Sequence, residues 1–250
     1  MSVRRGAMAL AGPQLPMGDE GLLSDNDMYE RLVSAILDHR LLPGTKLVED
    51  RLAAAFGVSR TRVRPVLVRL ANEQVVTLTP RKGASVAQPG VQEAREVFEA
   101  RRLIEPRLVT LFMGAATALD VHRLVQCIQD EDQARAAGDI HRAIRLSGDF
   151  HLHIAQAAGH QTLGRILREL VSRTSLVLMT YGPAGARERD EATACGCREH
   201  RALIDAIRLR DAPEAARRML QHLERIESQL EFTPPQQEVP DLVRLLGGRG

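Results

Sequence analysis

Tryptophan is absent from this chain, and the aromatic share is only 3%. The core must therefore come from Leu, Val, Ile and Ala, which favours helices over a β-sandwich. Lysine is nearly absent too: of 34 basic residues only Lys46 and Lys82 are lysine. No run approaches the roughly 18 apolar residues of a membrane span. Arg4-Arg5 and the mild stretch Ala7–Leu10 lack the apolar segment and cleavage site of a signal peptide. Cysteine is limited to Cys127, Cys195 and Cys197, which make no disulfide framework. These absences point to the reducing cytoplasm and to no membrane partner.

What is present is a globular composition. The 44% apolar share over 250 residues is enough for a packed core and for one or two domains. The bulk charge of +2 is uneven. Residues 25–90 hold 10 basic and 7 acidic side chains, whereas residues 91–232 hold 20 and 21. The basic excess belongs to the N-terminal part, where a polyanion would be met.

Residues 1–24 lack a period and read as a flexible tail. Asp25 or Asn26 can cap a helix starting near Asp27, in which Met28, Leu32 and Ile36 repeat along one face. Leu42-Pro-Gly-Thr45 ends it with a turn. A short helix over Glu49–Phe56 stops at Gly57, a residue suited to a left-handed C-terminus. Ser59 caps a third helix running to about Glu73, with Val63, Val66, Leu67 and Leu70 inward. Val76–Thr79 and Ala84–Ala87, joined by Pro80-Arg-Lys-Gly83, read as a two-stranded hairpin. This is the plan of a winged helix-turn-helix over residues 25–88. Residues 89–91 are a linker. Residues 92–233 read as an all-α bundle, with segments near 92–116, 118–137, 139–158, 161–181, 188–209 and 212–232. Residues 234–250 form a tail with an apolar patch at Leu242–Leu246.

The third helix is the expected recognition helix, its first turns entering the major groove. Arg60 and Arg64 share a face, and Arg62 points elsewhere. Arginine there can fork onto guanine or clamp phosphate. Ser59 and Thr61 can bond phosphate beside the helix N-terminus. Arg81, Lys82 and Gly83 form the wing tip, placed for backbone or minor groove.

The stretch Leu42-Pro-Gly-Thr-Lys-Leu-Val-Glu49, followed by Leu52-Ala-Ala-Ala-Phe-Gly-Val-Ser-Arg-Thr-Arg-Val-Arg64, resembles the DNA-binding domain of the GntR family. The resemblance spans about residues 28–88. It implies that Arg60 and Arg64 are the principal DNA-contacting arginines and that the Lys82-Gly83 tip reaches the minor groove. Pro65-Val66 replaces the usual Glu-Ala, so a bend or a lost backbone bond is expected in the second helical turn. Gln74-Val75 replaces Gly-Leu, and Asp50 stands where some members place a DNA-contacting arginine.

Of the eight histidines, His151, His200 and His222 fall on predicted helices beside apolar faces. Their spacing matches neither a zinc finger nor His-Glu-x-x-His, so by spacing alone they form no site. The order Arg101-Arg-Leu-Ile-Glu105-Pro, Phe150-His151 with Ala157-Ala-Gly159, Glu199-His200, and Ala215-Ala216 with His222-Leu223 is similar to the FadR-type ligand-binding domain, FCD. That resemblance covers about residues 92–230. It implies a helical bundle with a divalent metal, zinc or nickel, on His151, His200 and His222, and Arg101 near an effector carboxylate. Ser147 stands where the family places an acidic ligand. Asp149 is rotated about 200° from that face and is a poor substitute. Cys195-Gly-Cys197 is a further candidate for metal or oxidation chemistry, and His153 reads as polar or cavity-rim.

The expected function is regulation of transcription without catalysis. A homodimer would sit on near-palindromic operator DNA and repress until a small organic acid enters the helical part. In an alternative reading the metal is itself the signal. A remote one is a three-histidine metal hydrolase.

Overall fold

The chain is described by a computed structural model that covers residues 23–182 and 195–232. The expected tails at 1–24 and 234–250, the Leu242–Leu246 patch and the start of the 188–209 segment fall wholly or mostly outside those residues. Helix α1 spans Asp25–Leu37. Its N-cap is Ser24, not Asp25 or Asn26: the Ser24 hydroxyl accepts from Asp27 N–H and the Asp27 carboxylate accepts from Ser24 N–H. Helix α2 spans Glu49–Phe56, and α3 spans Arg60–Asn72. Between them Gly57 sits at φ +65°. Ser59 is the N-cap of α3 without a side-chain cap bond, its hydroxyl lying 3.0 Å from Thr61 Oγ1. Pro65 does not break α3, which continues to Asn72 with the exposed ring outward.

The wing has three strands, not two. β2 (Val76–Thr79) pairs antiparallel with β3 (Gly83–Val86), and β1 (Lys46–Leu47) pairs with the other edge of β3. A two-residue strand is too short for alternation to show in the sequence. The sheet buries Leu47, Val76, Ala84 and Val86 against Met28, Leu32, Leu52, Leu67 and Leu70.

The rest of the described chain is helical: α4 (Val91–Ala115), α5 (Ala118–Ala136), α6 (Ile140–Ala157), α7 (Gln161–Tyr181), α8 (Cys195–Arg208) and α9 (Ala212–Ser228). Asp139 and Asp211 cap α6 and α9 through side-chain bonds to Arg142 and Glu214 N–H. Helix α4 is the spine of this part, packing on α6, α7 and α9. Its buried stripe runs Ala94, Val97, Phe98, Arg101, Glu105, Leu108, Val109, Phe112, a helical period in which two core positions are charged. Among the described residues no helix is long and apolar enough to cross a membrane.

The two parts touch directly. Leu176 of α7 is fully buried in the core formed by α1–α3 and the sheet, with Met179 packed against it. Arg145 Nη1 of α6 lies 3.2 Å from Asp38 Oδ1 at the end of α1. The rings of His39 and His141 meet at 4.3 Å beside that pair.

Candidate functional site

The first site is the exposed face of α3. The side chains of Arg60 and Arg64 are 62% and 65% exposed, so both remain available to a ligand. Arg60 Nε lies 3.1 Å from Asp50 Oδ1, and Arg64 Nε lies 3.0 and 2.9 Å from the two oxygens of Glu49. Arg62 is engaged elsewhere: it donates to Leu23 O at 2.7 Å and to Asp25 Oδ1 at 2.8 Å. It ties α3 to the start of α1 and is not presented with Arg60 and Arg64. Ser59 and Thr61 are exposed at the N-terminus of α3. Arg81 (φ +65°), Lys82 and Gly83 (φ +83°) form the exposed wing tip.

The second site lies at the centre of the bundle. His151 of α6, His200 of α8 and His222 of α9 are buried, and their Nε2 atoms converge. His200 Nε2 is 3.1 Å from His222 Nε2, which is 3.3 Å from His151 Nε2. Every Nδ1 faces a carboxylate: His151 meets Glu105 at 2.5 Å, His222 meets Glu199 at 2.8 Å, and His200 lies 3.4 Å from Glu131. Phe150 stacks on His200 at 4.0 Å.

These contacts fix the protonation pattern. Burial is the main influence on all three imidazoles and favours their neutral form, bringing His151 and His222 to about 4 and lowering His200. Burial would raise Glu105, but the Arg101 charge and then His151 hold it at about 2. Glu131 is held at about 2 against burial by His200 and Arg135. The carboxylates bonded to His151 and His222 keep the single imidazole proton on Nδ1 and leave the lone pair on Nε2, and the Glu131 charge 3.4 Å from His200 Nδ1 favours the same tautomer there. Three lone pairs then face one another with no proton between them, an arrangement that a cation resolves. Nitrogens bound at 2.0–2.1 Å in tetrahedral directions are about 3.3 Å apart, which the observed separations match. The residues present therefore fit a divalent ion of the zinc type. Among the described residues no carboxylate or thiolate joins the three nitrogens.

Beside the cluster is a cavity of about 80 Å³ lined by Arg101, Ser147, His151, Thr174 and, from α1, Leu37. Ser147 and His151 thus share one cavity wall. Arg101 is buried, with Nε on Glu105 at 2.5 Å and Nη1 on Thr174 at 3.2 Å. Its Nη2 is buried without a partner, as are Glu131 Oε2 and His200 Nδ1 by hydrogen-bond geometry. Burial pushes the Cys197 thiol to about 12, so it is not an activated thiol. His153 does not join the three histidines: it lines a groove on the α7 side of α6, with Asp149.

Glu105, Glu131 and Glu199 were not singled out as site residues by sequence. The available signal was positional. Glu105 replaces an apolar residue in the α4 stripe, and Glu131 does the same in the stripe Leu124, Cys127, Ile128, Ala134 of α5. A carboxylate at a core position needs a partner there.

Two protein families match the chain: bacterial regulatory proteins of the gntR family over residues 25–86, and the FCD domain over residues 96–225. An uncharacterized HTH-type transcriptional regulator of Streptomyces ambofaciens is 27% identical over 216 residues, 84% of this chain and 86% of that protein. The HTH-type transcriptional repressor RspR of Escherichia coli K12 is 24% identical over 203 residues, 80% and 86% of the two chains. Among solved structures, a GntR transcriptional regulator from Rhodococcus sp. RHA1 superposes with a TM-score of 0.72 at 23% identity, covering 82% of this chain and 96% of its own. E. coli McbR/YncC gives 0.68 at 22% identity, covering 80% and 93%. Likeness at these identities speaks for the fold.

Proposed function

The chain belongs to the GntR family of bacterial regulatory proteins and carries an FCD domain, and from that premise we propose a FadR-type repressor released from its operator by a small carboxylate. Its families and relatives are transcriptional regulators and not enzymes, so the hydrolytic reading of three histidines is set aside. In the proposed mechanism two copies place their α3 helices in successive major grooves of near-palindromic DNA. Arg60 and Arg64 read base edges, Ser59 and Thr61 hold phosphate, and Arg81, Lys82 and Gly83 follow the adjacent groove. Cytoplasmic placement follows from this role.

The effector reading is carried by one observation: a buried arginine with an unpartnered Nη2 on a small cavity beside three converging imidazoles. Arg101 is kept in place by Glu105 and Thr174 and presents Nη2 to an incoming carboxylate. A divalent ion on His151, His200 and His222 would supply positive charge at the cavity wall. Ser147 adds no negative charge there, and the charge of Asp149, which also lines the cavity, is opposed by Arg145 on the same wall. The guest must bind the DNA-free shape more tightly than the DNA-bound one, because only differential affinity shifts the equilibrium.

The same histidine cluster favours a second reading in which the ion alone is the signal. A single experiment separates the two. The full-length protein selects a duplex from a random-sequence pool, and its affinity is then titrated with zinc or nickel, and with acetate, lactate or malate. Release by an organic acid, abolished in Arg101→Ala, is expected. Release by the metal without any acid supports the metal sensor. Arg60→Ala and Arg64→Ala should each cost about 1–3 kcal/mol on the selected duplex. Unchanged affinity in both would move the DNA contact off α3.

A further inference from the structure

The two arginines presented by α3 are not free cations. Each is matched to one of two successive acids in the first turn of α2. Glu49 takes Arg64 by Nε, at 3.0 and 2.9 Å. Asp50 pairs with Arg60, its Oδ1 lying 3.1 Å from Nε and its Oδ2 accepting from Nη1 at 3.5 Å. Both partnerships are largely exposed, and exposed ion pairs add little to folding. Their placement on the recognition face asks for another role.

The atoms used on each guanidinium are informative. With a carboxylate on Nε, the terminal Nη1 and Nη2 of Arg64 stay free as a parallel fork, the pair that guanine O6 and N7 accept. Glu49 thus sets the plane of the guanidinium while leaving its recognising end open. Asp50 restrains Arg60 more loosely, as an ion pair with one long bond from Nη1. Both acids also cancel the charge that would draw these arginines to any phosphate. Sequence-independent affinity rests on that charge, whereas base recognition rests on directed donors at short range. Neutralising the first while aligning the second raises selectivity. Arg81 and Lys82 at the wing tip are unmatched in this way among the contacts described, so backbone attraction is left to the wing.

We infer that Glu49 and Asp50 are positioning residues for DNA recognition, which align Arg64 and Arg60 and suppress their binding to non-cognate DNA. The inference rests on the reading that α3 enters the major groove.

The test uses the full chain, a duplex selected by the wild type from a random pool, and a shuffled duplex of the same composition. Glu49→Gln, Asp50→Asn and the double variant are compared by fluorescence anisotropy across a salt series, after thermal melts show that they fold. Affinity for the shuffled duplex should rise, its log–log salt slope steepening by about 0.9 for each arginine released onto a phosphate. The selected-to-shuffled ratio of the double variant should fall about tenfold, within the discrimination carried by one bidentate base contact. Asp50→Glu, which keeps the charge, should stay nearer the wild-type ratio than Asp50→Asn. Equal changes on both duplexes, with ratio and slope preserved, would overturn the inference. If Arg60→Ala and Arg64→Ala leave the selected duplex bound as before, the groove reading itself has failed, a result separate from the behaviour of the acids.

Discussion

Glu131 is fully buried and shared between Arg135 at 2.6 Å and the Nδ1 side of His200. Its work is to keep one imidazole proton turned away from the cluster. Outer partners of this kind commonly change metal affinity 10–100-fold, so Glu131→Gln should weaken zinc or nickel binding by about that factor. His200→Ala should weaken it further, since a ligand atom is lost. Elemental analysis of purified protein, with competitive titration against a chelator, reads both. Wild-type metal content in His200→Ala would remove that residue from the ligand set. At this scale the sequence was only half legible. The three histidines stand at no recognisable spacing, and family resemblance alone grouped them. The same resemblance singled out Ser147 and Arg101, and both line the cavity at His151. The carboxylates behind the imidazoles were readable in principle, because Glu105 and Glu131 interrupt apolar stripes, but periodicity shows that a residue is inside without showing what it meets. The pairing of Arg62 with Asp25 and Leu23 O joins residues far apart in the chain, and no local pattern predicts it.

At the scale of elements, the join between α2 and α3 is the sharpest case. Gly57 adopts φ +65°, and a Cβ there would meet no atom within 4 Å. Strain alone therefore opposes substitution. Gly57→Ala should cost about 1 kcal/mol in stability, measured by urea denaturation; a neutral result would show that the turn relaxes. This turn was readable because Gly-Val-Ser places a left-handed residue and a cap in sequence. Strand β1 was not readable, since Lys46 and Leu47 acquire strand character only by pairing with Ser85 and Ala84. Helix α1 is capped by Ser24 and begins on Asp25, two residues before the expected start near Asp27, because Ser24-Asp25-Asn26-Asp27 offers several caps and only the Ser24–Asp27 pair closes reciprocally. Pro65 was expected to bend α3 or remove a bond. The helix continues through it, with the ring on the exposed side where no neighbour resists it.

Across the whole molecule the contact between α1 and α6 carries a pH dependence. His39 is held near 3 by burial and by His141 beside it, against the upward pull of Asp38. Arg40 and Arg145 add positive charge around Asp38. A histidine whose folded value lies below its ordinary 6.5 is neutral in the fold while the unfolded chain takes the proton. Its stabilisation is complete above about pH 6.5 and declines as the pH falls toward 3. His39 sits at φ +57°, a conformation asparagine tolerates, so His39→Asn preserves the backbone. The wild-type melting temperature should drop more between pH 7 and pH 5 than that of His39→Asn. Parallel curves would place the titration elsewhere.

Leu176 belongs by sequence to the C-terminal bundle and by packing to the core of the N-terminal part. Recombination between relatives has to respect that lodging. A chimaera joining residues 25–88 to a foreign effector half inherits a socket shaped for this leucine. If the foreign helix brings a smaller side chain, the hybrid carries a void under its DNA-binding face. Compatible halves must therefore be exchanged with the α7 lodger that fits them, and the position of Leu176 becomes a criterion for choosing parents in grafting experiments.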